Sequence, residues 1–212
     1  DYFITFRHSL NLIKGNGLVY NEGERVHGFT SPLGVLLPAA LGWVLGASTF
    51  EPTLIAFRVV SIATFAASVA LLAAAMRRTG ETVFSAALLG VLLSFEPKAV
   101  AFSINGMETA FVLFFMALGF YATTLATSRS VWLLAVSWAG LMYSRPDGCI
   151  AAFAILLGNV VWAQGPRRQV VAISAKALCL SVLMYLPWLV AASVYYGSPV
   201  PHTVLAKAAH TS

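Results

Sequence analysis

The chain has 212 residues, of which 59% are hydrophobic and only 10% charged, and its mean hydropathy is +0.82. A soluble domain carries roughly a quarter charged residues, so the composition excludes a water-soluble globular protein and points to an integral membrane protein. The net charge of +5 belongs to the question of which loops hold the bases across a bilayer; it implies no nucleic-acid partner.

The apolar runs lack the alternation of a barrel strand, so helices are expected throughout. Residues 1–50 read as a first extracytoplasmic loop with a juxtamembrane helix. The opening stretch DYFITFRHSLNLIKGNGLVYNEGERVHGFTSPL is polar, aromatic and broken by glycines, with turns around GNGLVYNEGE. Its glycines neither follow a strand nor precede a Lys-Ser/Thr pair, so it is no phosphate loop. Pro32 to Trp43 is read as a juxtamembrane or re-entrant helix, with a true span as the alternative.

Residues 51–212 read as a transmembrane helical module of about six spans. Leu54 to Met76 is a full crossing ending in Arg77-Arg78. Val83 to Phe95 is shorter and reaches full length only by running on towards Phe102. Met107 to Ala126 is a full crossing. Val131 to Tyr143 and Cys149 to Trp162 flank the polar SRPDG, and each falls short of the ~20 residues a straight crossing needs. Val170 to Tyr195 is a last long span, with Pro187 as an expected kink. Cys149 and Cys179 fall inside apolar runs and are expected to be small buried hydrophobes rather than a disulfide or metal pair. The chain starts at Asp1 without an initiator Met and ends at Ser212 just after a polar motif, so a piece of a longer protein, incomplete at both ends, is expected.

Charge gives the topology. With Arg77-Arg78 cytoplasmic, Arg129, Arg167, Arg168 and Lys176 fall on the same side, six bases against one acid, Glu81. The opposite face holds seven bases, seven acids and all four histidines. Short basic loops belong inside, which places any chemistry on the extracytoplasmic face.

Several candidates gather there. Asp1 stands beside Tyr2, Phe3 and Ile4, with Arg7 and His8 about two turns on. It suits a general base or, alternatively, a helix N-cap. Arg58 sits one turn into its span, where a charge costs roughly 2.5–3.5 kcal/mol on insertion scales; it either snorkels to the interface or anchors an anionic headgroup. Glu108 is a first-turn acid complementing a helix dipole or a second acid facing a cavity. Arg145 and Asp147 flank Pro146 as a local ion pair, or Arg145 contacts a phosphate that Asp147 orients. In the tail, Pro199 and Pro201 stiffen a loop that offers His202, Thr203 and Lys207 as donors, Lys207 being either a ligand or a solvated lysine. No zinc or EF-hand spacing is present, so no cofactor is firmly indicated and a divalent metal has no support from ligand spacing.

The order of the opening stretch, then NGMETA, SRPDG and YYGSPVPHTVLAK, resembles bacterial GT-C-fold membrane glycosyltransferases, nearest to the mycobacterial terminal arabinofuranosyltransferase-like group. The likeness covers nearly the whole chain. It implies an all-α, polytopic GT-C-like module with juxtamembrane helices in the first outer loop, set in the bacterial inner membrane. It also implies a polyprenyl-phosphate-linked sugar donor, a cell-envelope glycan, lipid or protein acceptor, and membrane lipids as neighbours. Asp1 matches the last acid of the family's aspartate pair, and Glu108 matches its second acid by position. Arg58, Arg145, His202 and Lys207 become candidates for the donor phosphate, with Arg7, His8 and Asp147 beside them. A transporter or flippase for a lipid-linked anionic substrate is the alternative. Such a protein should show internal repeats, and none is seen.

Overall fold

The computed structural model describes residues 2–47, 49–125, 128–161 and 166–202, and among these every regular element is an α-helix. In chain order they are α1 (Tyr2–Ile13), α2 (Pro32–Leu45), α3 (Phe50–Arg78), α4 (Val83–Ser94), α5 (Pro97–Ile104), α6 (Thr109–Thr123), α7 (Ser128–Ser144), α8 (Gly148–Val161) and α9 (Arg167–Tyr196). Two of them, α3 with 29 residues and α9 with 30, are long and apolar enough to cross a membrane. The α4–α5 pair qualifies as a third only when taken together across its bend.

Local chemistry sets the boundaries. The Ser31 hydroxyl accepts from the Gly34 amide at 2.9 Å and Pro32 occupies the first turn, so α2 starts where the sequence Ser-Pro demands. It ends at Gly46, which takes the left-handed conformation that favours glycine. Glu51 in the first turn of α3 and Arg77 and Arg78 in its last turn complement the helix dipole. The run from Val83 does continue towards Phe102, but not as one straight helix. Glu96 accepts from the Lys98 amide and Pro97 opens a new first turn, so α5 leaves α4 at 60°. Proline supplies no N–H to carry the α4 ladder onward.

The helices pack around three apolar centres. Phe6, Leu54, Phe57 and Phe111 join α1, α3 and α6. Leu134, Trp138, Leu141, Ile155 and Ala177 join α7, α8 and α9, with Ala122 of α6. Small residues let α6 and α7 approach closely: a Cβ on Gly140 would run into the Phe115 ring, and one on Gly119 would stand 2.7 Å from the Ser137 hydroxyl. That hydroxyl instead donates to the Phe115 carbonyl at 2.6 Å. Cys149 and Cys179 are exposed on the bundle's outside, against expectation. In an apolar solvent, hydrophobicity places a residue in the membrane without placing it inside the protein.

The third centre fixes the first loop onto the end of α9. Phe29 and Val35 pack with Trp188, Ala192 and Tyr196. The Tyr196 hydroxyl donates to the Leu18 carbonyl at 2.6 Å, while the Leu18 amide donates to the Tyr195 hydroxyl at 3.1 Å. Gly17, at φ +88°, passes so close to that hydroxyl that a side chain there would collide with it. The first loop, α2, the α5–α6 loop and the α7–α8 turn thereby meet at one end of the bundle.

Candidate functional site

Glu108 lies at the centre of this end. It is the N-cap residue of α6, yet its side chain makes no capping bond there. Its carboxylate instead lies against the first turn of α2, with Oε2 3.7 Å from the point a Cβ on Gly34 would occupy. Its Oε1 is 3.9 Å from the Arg145 guanidinium. The same guanidinium nitrogen donates to Asp147 at 3.1 Å. Glu108 is mostly buried, at 14% side-chain exposure, whereas Arg145 is 48% and Asp147 60% exposed. Burial lifts the Glu108 carboxyl above the usual carboxylate range; its own backbone amide and Arg145 pull it back, and Asp147 adds to the rise. The result is a mostly buried carboxyl of raised proton affinity beside a solvent-facing cation.

The loop before Glu108 also touches α1. A Cβ on Gly106 would stand 3.3 Å from the Tyr2 ring and 3.1 Å from Leu54. The start of α1 and the Glu108 loop are therefore neighbours. Asp1 itself, like Thr203 and Lys207, lies outside the described residues.

Arg7 and His8 form a second group, turned towards the first loop. Arg7 donates through Nε to the Tyr20 carbonyl at 3.0 Å and through Nη2 to Asn21 Oδ1 at 3.2 Å, and it stacks 4.4 Å from the Tyr20 ring. His8 is fully buried, and its Nδ1 donates to the Ile4 carbonyl at 2.8 Å, which leaves Nε2 as a buried acceptor with no partner. Burial lowers the affinity of His8 for a second proton, and the neighbouring Arg7 adds to that.

Arg58 stands apart in α3, about 12 Å along the axis from Phe50 at 1.5 Å per residue. It is half-buried, its Nε is buried without a hydrogen-bond partner, and no ion pair involves it among the described residues. His202 is joined to His27: its amide donates to the His27 carbonyl at 3.0 Å, and the His27 amide donates to His202 Nδ1 at 3.1 Å. His27 is buried and stacks on Tyr196 at 4.6 Å and 9°. Desolvation first, and then the nearby His202, hold it neutral with a pKa down to about 4.

The structure thus brings Glu108, Arg145 and Asp147 together and sets Arg7 and His8 against the first loop, where His8 lines a cleft. Ser31, Gly34, His27, Tyr195 and Tyr196 shape these surroundings and were not singled out from the sequence. Only the Ser31-Pro32 helix start carried a readable signal. Among the described residues no three His, Cys, Asp or Glu side chains come together to hold a metal ion.

Aligned over 231 residues, the sequence is 28% identical to the terminal beta-(1->2)-arabinofuranosyltransferase of Mycobacterium tuberculosis (strain ATCC 25618 / H37Rv). The chain is similar to a bacterial glycosyltransferase. The alignment takes in 98% of this chain and 34% of the relative, so the chain spans about a third of the length of the curated protein it matches. No family model matches the sequence, and no solved structure matches it.

Proposed function

We propose that this chain is part of the membrane module of a GT-C-type glycosyltransferase, one that moves a sugar from a polyprenyl-phosphate-linked donor to a cell-envelope glycan, lipid or protein. It would lie in the bacterial cytoplasmic membrane with its first-loop end extracytoplasmic. The observation that carries this reading is the likeness to the mycobacterial enzyme along 98% of the chain. The geometry supports it: a mostly buried carboxyl, Glu108, faces an accessible cation, Arg145, at 3.9 Å.

In this mechanism the acceptor hydroxyl attacks the anomeric carbon as the bond from that carbon to the phosphate oxygen breaks. The hydroxyl proton passes to Asp1, the general base, and the phosphate leaves as the polyprenyl phosphate dianion. Arg145 takes the developing charge on the phosphate, and Arg58, His202 and Lys207 are further cations or donors for it. Glu108 orients Arg145 and holds a donor hydroxyl. Asp147 balances Arg145 until the phosphate replaces it.

The test is transfer from a radiolabelled polyprenyl-phosphate pentose in membranes carrying the full-length protein. Asp1→Asn is expected to reduce turnover by at least about 100-fold while leaving expression and donor binding in place. Turnover at the unsubstituted rate would remove Asp1 from the mechanism.

A further inference from the structure

Between α1 and the first loop lies a cleft of about 270 Å³, lined by Ile4, His8, Tyr20, Asn21, Glu24, Val26 and Gly28. We propose that this cleft binds one ring of a neutral, polyhydroxylated ligand: the acceptor glycan, if the glycosyltransferase reading above is right. The cleft sits just below the range of about 300–1,000 Å³ typical of sites for drug-sized ligands, which suits a single sugar ring better than a long chain.

Its chemistry selects against the donor phosphate. Glu24 stands at the rim and makes no ion pair among the described residues. Asn21 donates to its Oε2 at 3.1 Å, leaving Oε1 to accept from a ligand. Arg7 uses two of its five N–H donors on the Tyr20 carbonyl and Asn21, which holds the rim in place. The Glu24 carboxylate, free of any ion pair among the described residues, repels a phosphate dianion and welcomes hydroxyls, each of which can donate to a carboxylate oxygen.

The walls fit the same ligand. Ile4 and Val26 supply apolar surface for the C–H face of a sugar. His8, in the wall, is fully buried and keeps an Nε2 acceptor without a partner. A buried acceptor left unpaired is costly, and a ligand hydroxyl complements it. Gly28 packs beside this ring without a side chain, since a Cβ there would lie in van der Waals contact, 3.6 Å from the imidazole. Tyr2 touches the loop that carries Glu108, whereas Ile4 and His8 lie more than a quarter turn round α1 from it, so a ring held here lies across α1 from Arg145.

Saturation-transfer NMR on the full-length protein in nanodiscs, with an octyl pentofuranosyl disaccharide as probe, tests the cleft independently of turnover. Glu24→Gln and Asn21→Ala, both at exposed positions, are expected to weaken probe binding at least tenfold, whereas Arg145→Ala leaves it within twofold. In the transfer assay the same two variants should raise the acceptor KM at least tenfold and leave the donor KM unchanged. Probe binding that is unaffected by both cleft substitutions, or absent from the unsubstituted protein, overturns the proposal. Binding that responds to them in a protein without transfer upholds the cleft and overturns the glycosyltransferase reading alone.

Discussion

Glu108 caps α6 by position but serves α2 by contact: its carboxylate lies 3.7 Å from the site a Cβ on Gly34 would fill. The first turn of α2 carries the positive end of that helix dipole, and Gly34 leaves room for the carboxylate to approach it. Burial raises the Glu108 pKa all the same, against the residue's own backbone amide and Arg145, which favour the charged form. A folded carboxyl with a raised pKa binds more protons than its unfolded counterpart. Its cost to stability is therefore absent at low pH and appears as pH climbs from the ordinary carboxyl value through the raised one. Glu108→Gln should unfold at a higher temperature than the parent at pH 7–8 and at the same temperature near pH 4. Sugar transfer should fall by about 100-fold or more. Thermal unfolding across pH in detergent, paired with the transfer assay, checks both halves; a variant that is less stable at neutral pH would show Glu108 to be merely structural.

Arg145 and Asp147 form an exposed pair at 3.1 Å, and such pairs contribute only about 0–1 kcal/mol. Removing either should hardly change stability. Their effects on the donor should differ. Charge-assisted hydrogen bonds contribute about 1.5–3 kcal/mol, so Arg145→Ala should raise the donor KM by about tenfold or more. Asp147→Ala should change it by less than about threefold. Equal KM values for the parent and Arg145→Ala would take Arg145 out of the phosphate site.

Much of this arrangement was legible in the sequence. The long apolar runs with basic ends became α3 and α9, and the helix expected over Pro32 to Trp43 became α2. SRPDG became the turn between α7 and α8, and Gly15, Gly17 and Gly23 of GNGLVYNEGE took the positive φ values that a turn-rich segment needs. The run from Val83 ends at Phe95, where the C-cap of α4 falls, but the 60° bend into a separate α5 was not read, although Pro97 supplied the signal. What could not be read were contacts between distant segments. Leu18 meets Tyr195 and Tyr196 through backbone groups, which carry no residue code. The exposure of Cys149 and Cys179 was hidden because lipid and protein interior reward the same side chains.

His27 gives the first loop a pH dependence whose direction follows from its burial. Its pKa falls from 6.5 to about 4, through desolvation and then the nearby His202 and His8, against the backbone carbonyl of Ser198, which favours the protonated ring. The folded form thus binds fewer protons than the unfolded chain between these values. Stability contributed by neutral His27 is complete above 6.5 and is lost as pH falls towards 4. His27→Phe keeps the stacking surface, and the backbone amide and carbonyl that pair with His202 are unchanged by it. Thermal unfolding of this variant should therefore vary less between pH 6.5 and 4 than that of the parent. Identical slopes would assign the acid sensitivity to other groups.

The Tyr195–Tyr196 pair is the clamp that holds the first loop on α9. Tyr196 donates to the Leu18 carbonyl and Tyr195 accepts from the Leu18 amide, so both backbone polar groups of one residue are satisfied by adjacent phenols. Tyr196→Phe leaves that carbonyl without its donor, at a cost of about 1–3 kcal/mol if it stays dry. Arg25 stacks 5.1 Å from the Tyr195 ring, so the same clamp protects a trypsin site. Loosening it should expose the loop before the helices unfold, because a loop held by few contacts opens locally. Limited trypsin digestion of Tyr196→Phe in nanodiscs should cut after Lys14 and Arg25 about tenfold faster than in the parent, with the unfolding temperature of the bundle little changed. Tyr195→Phe should act in the same direction. Cutting at the parent's rate in both variants would show that Phe29, His27 and Trp188 hold the loop without the phenols.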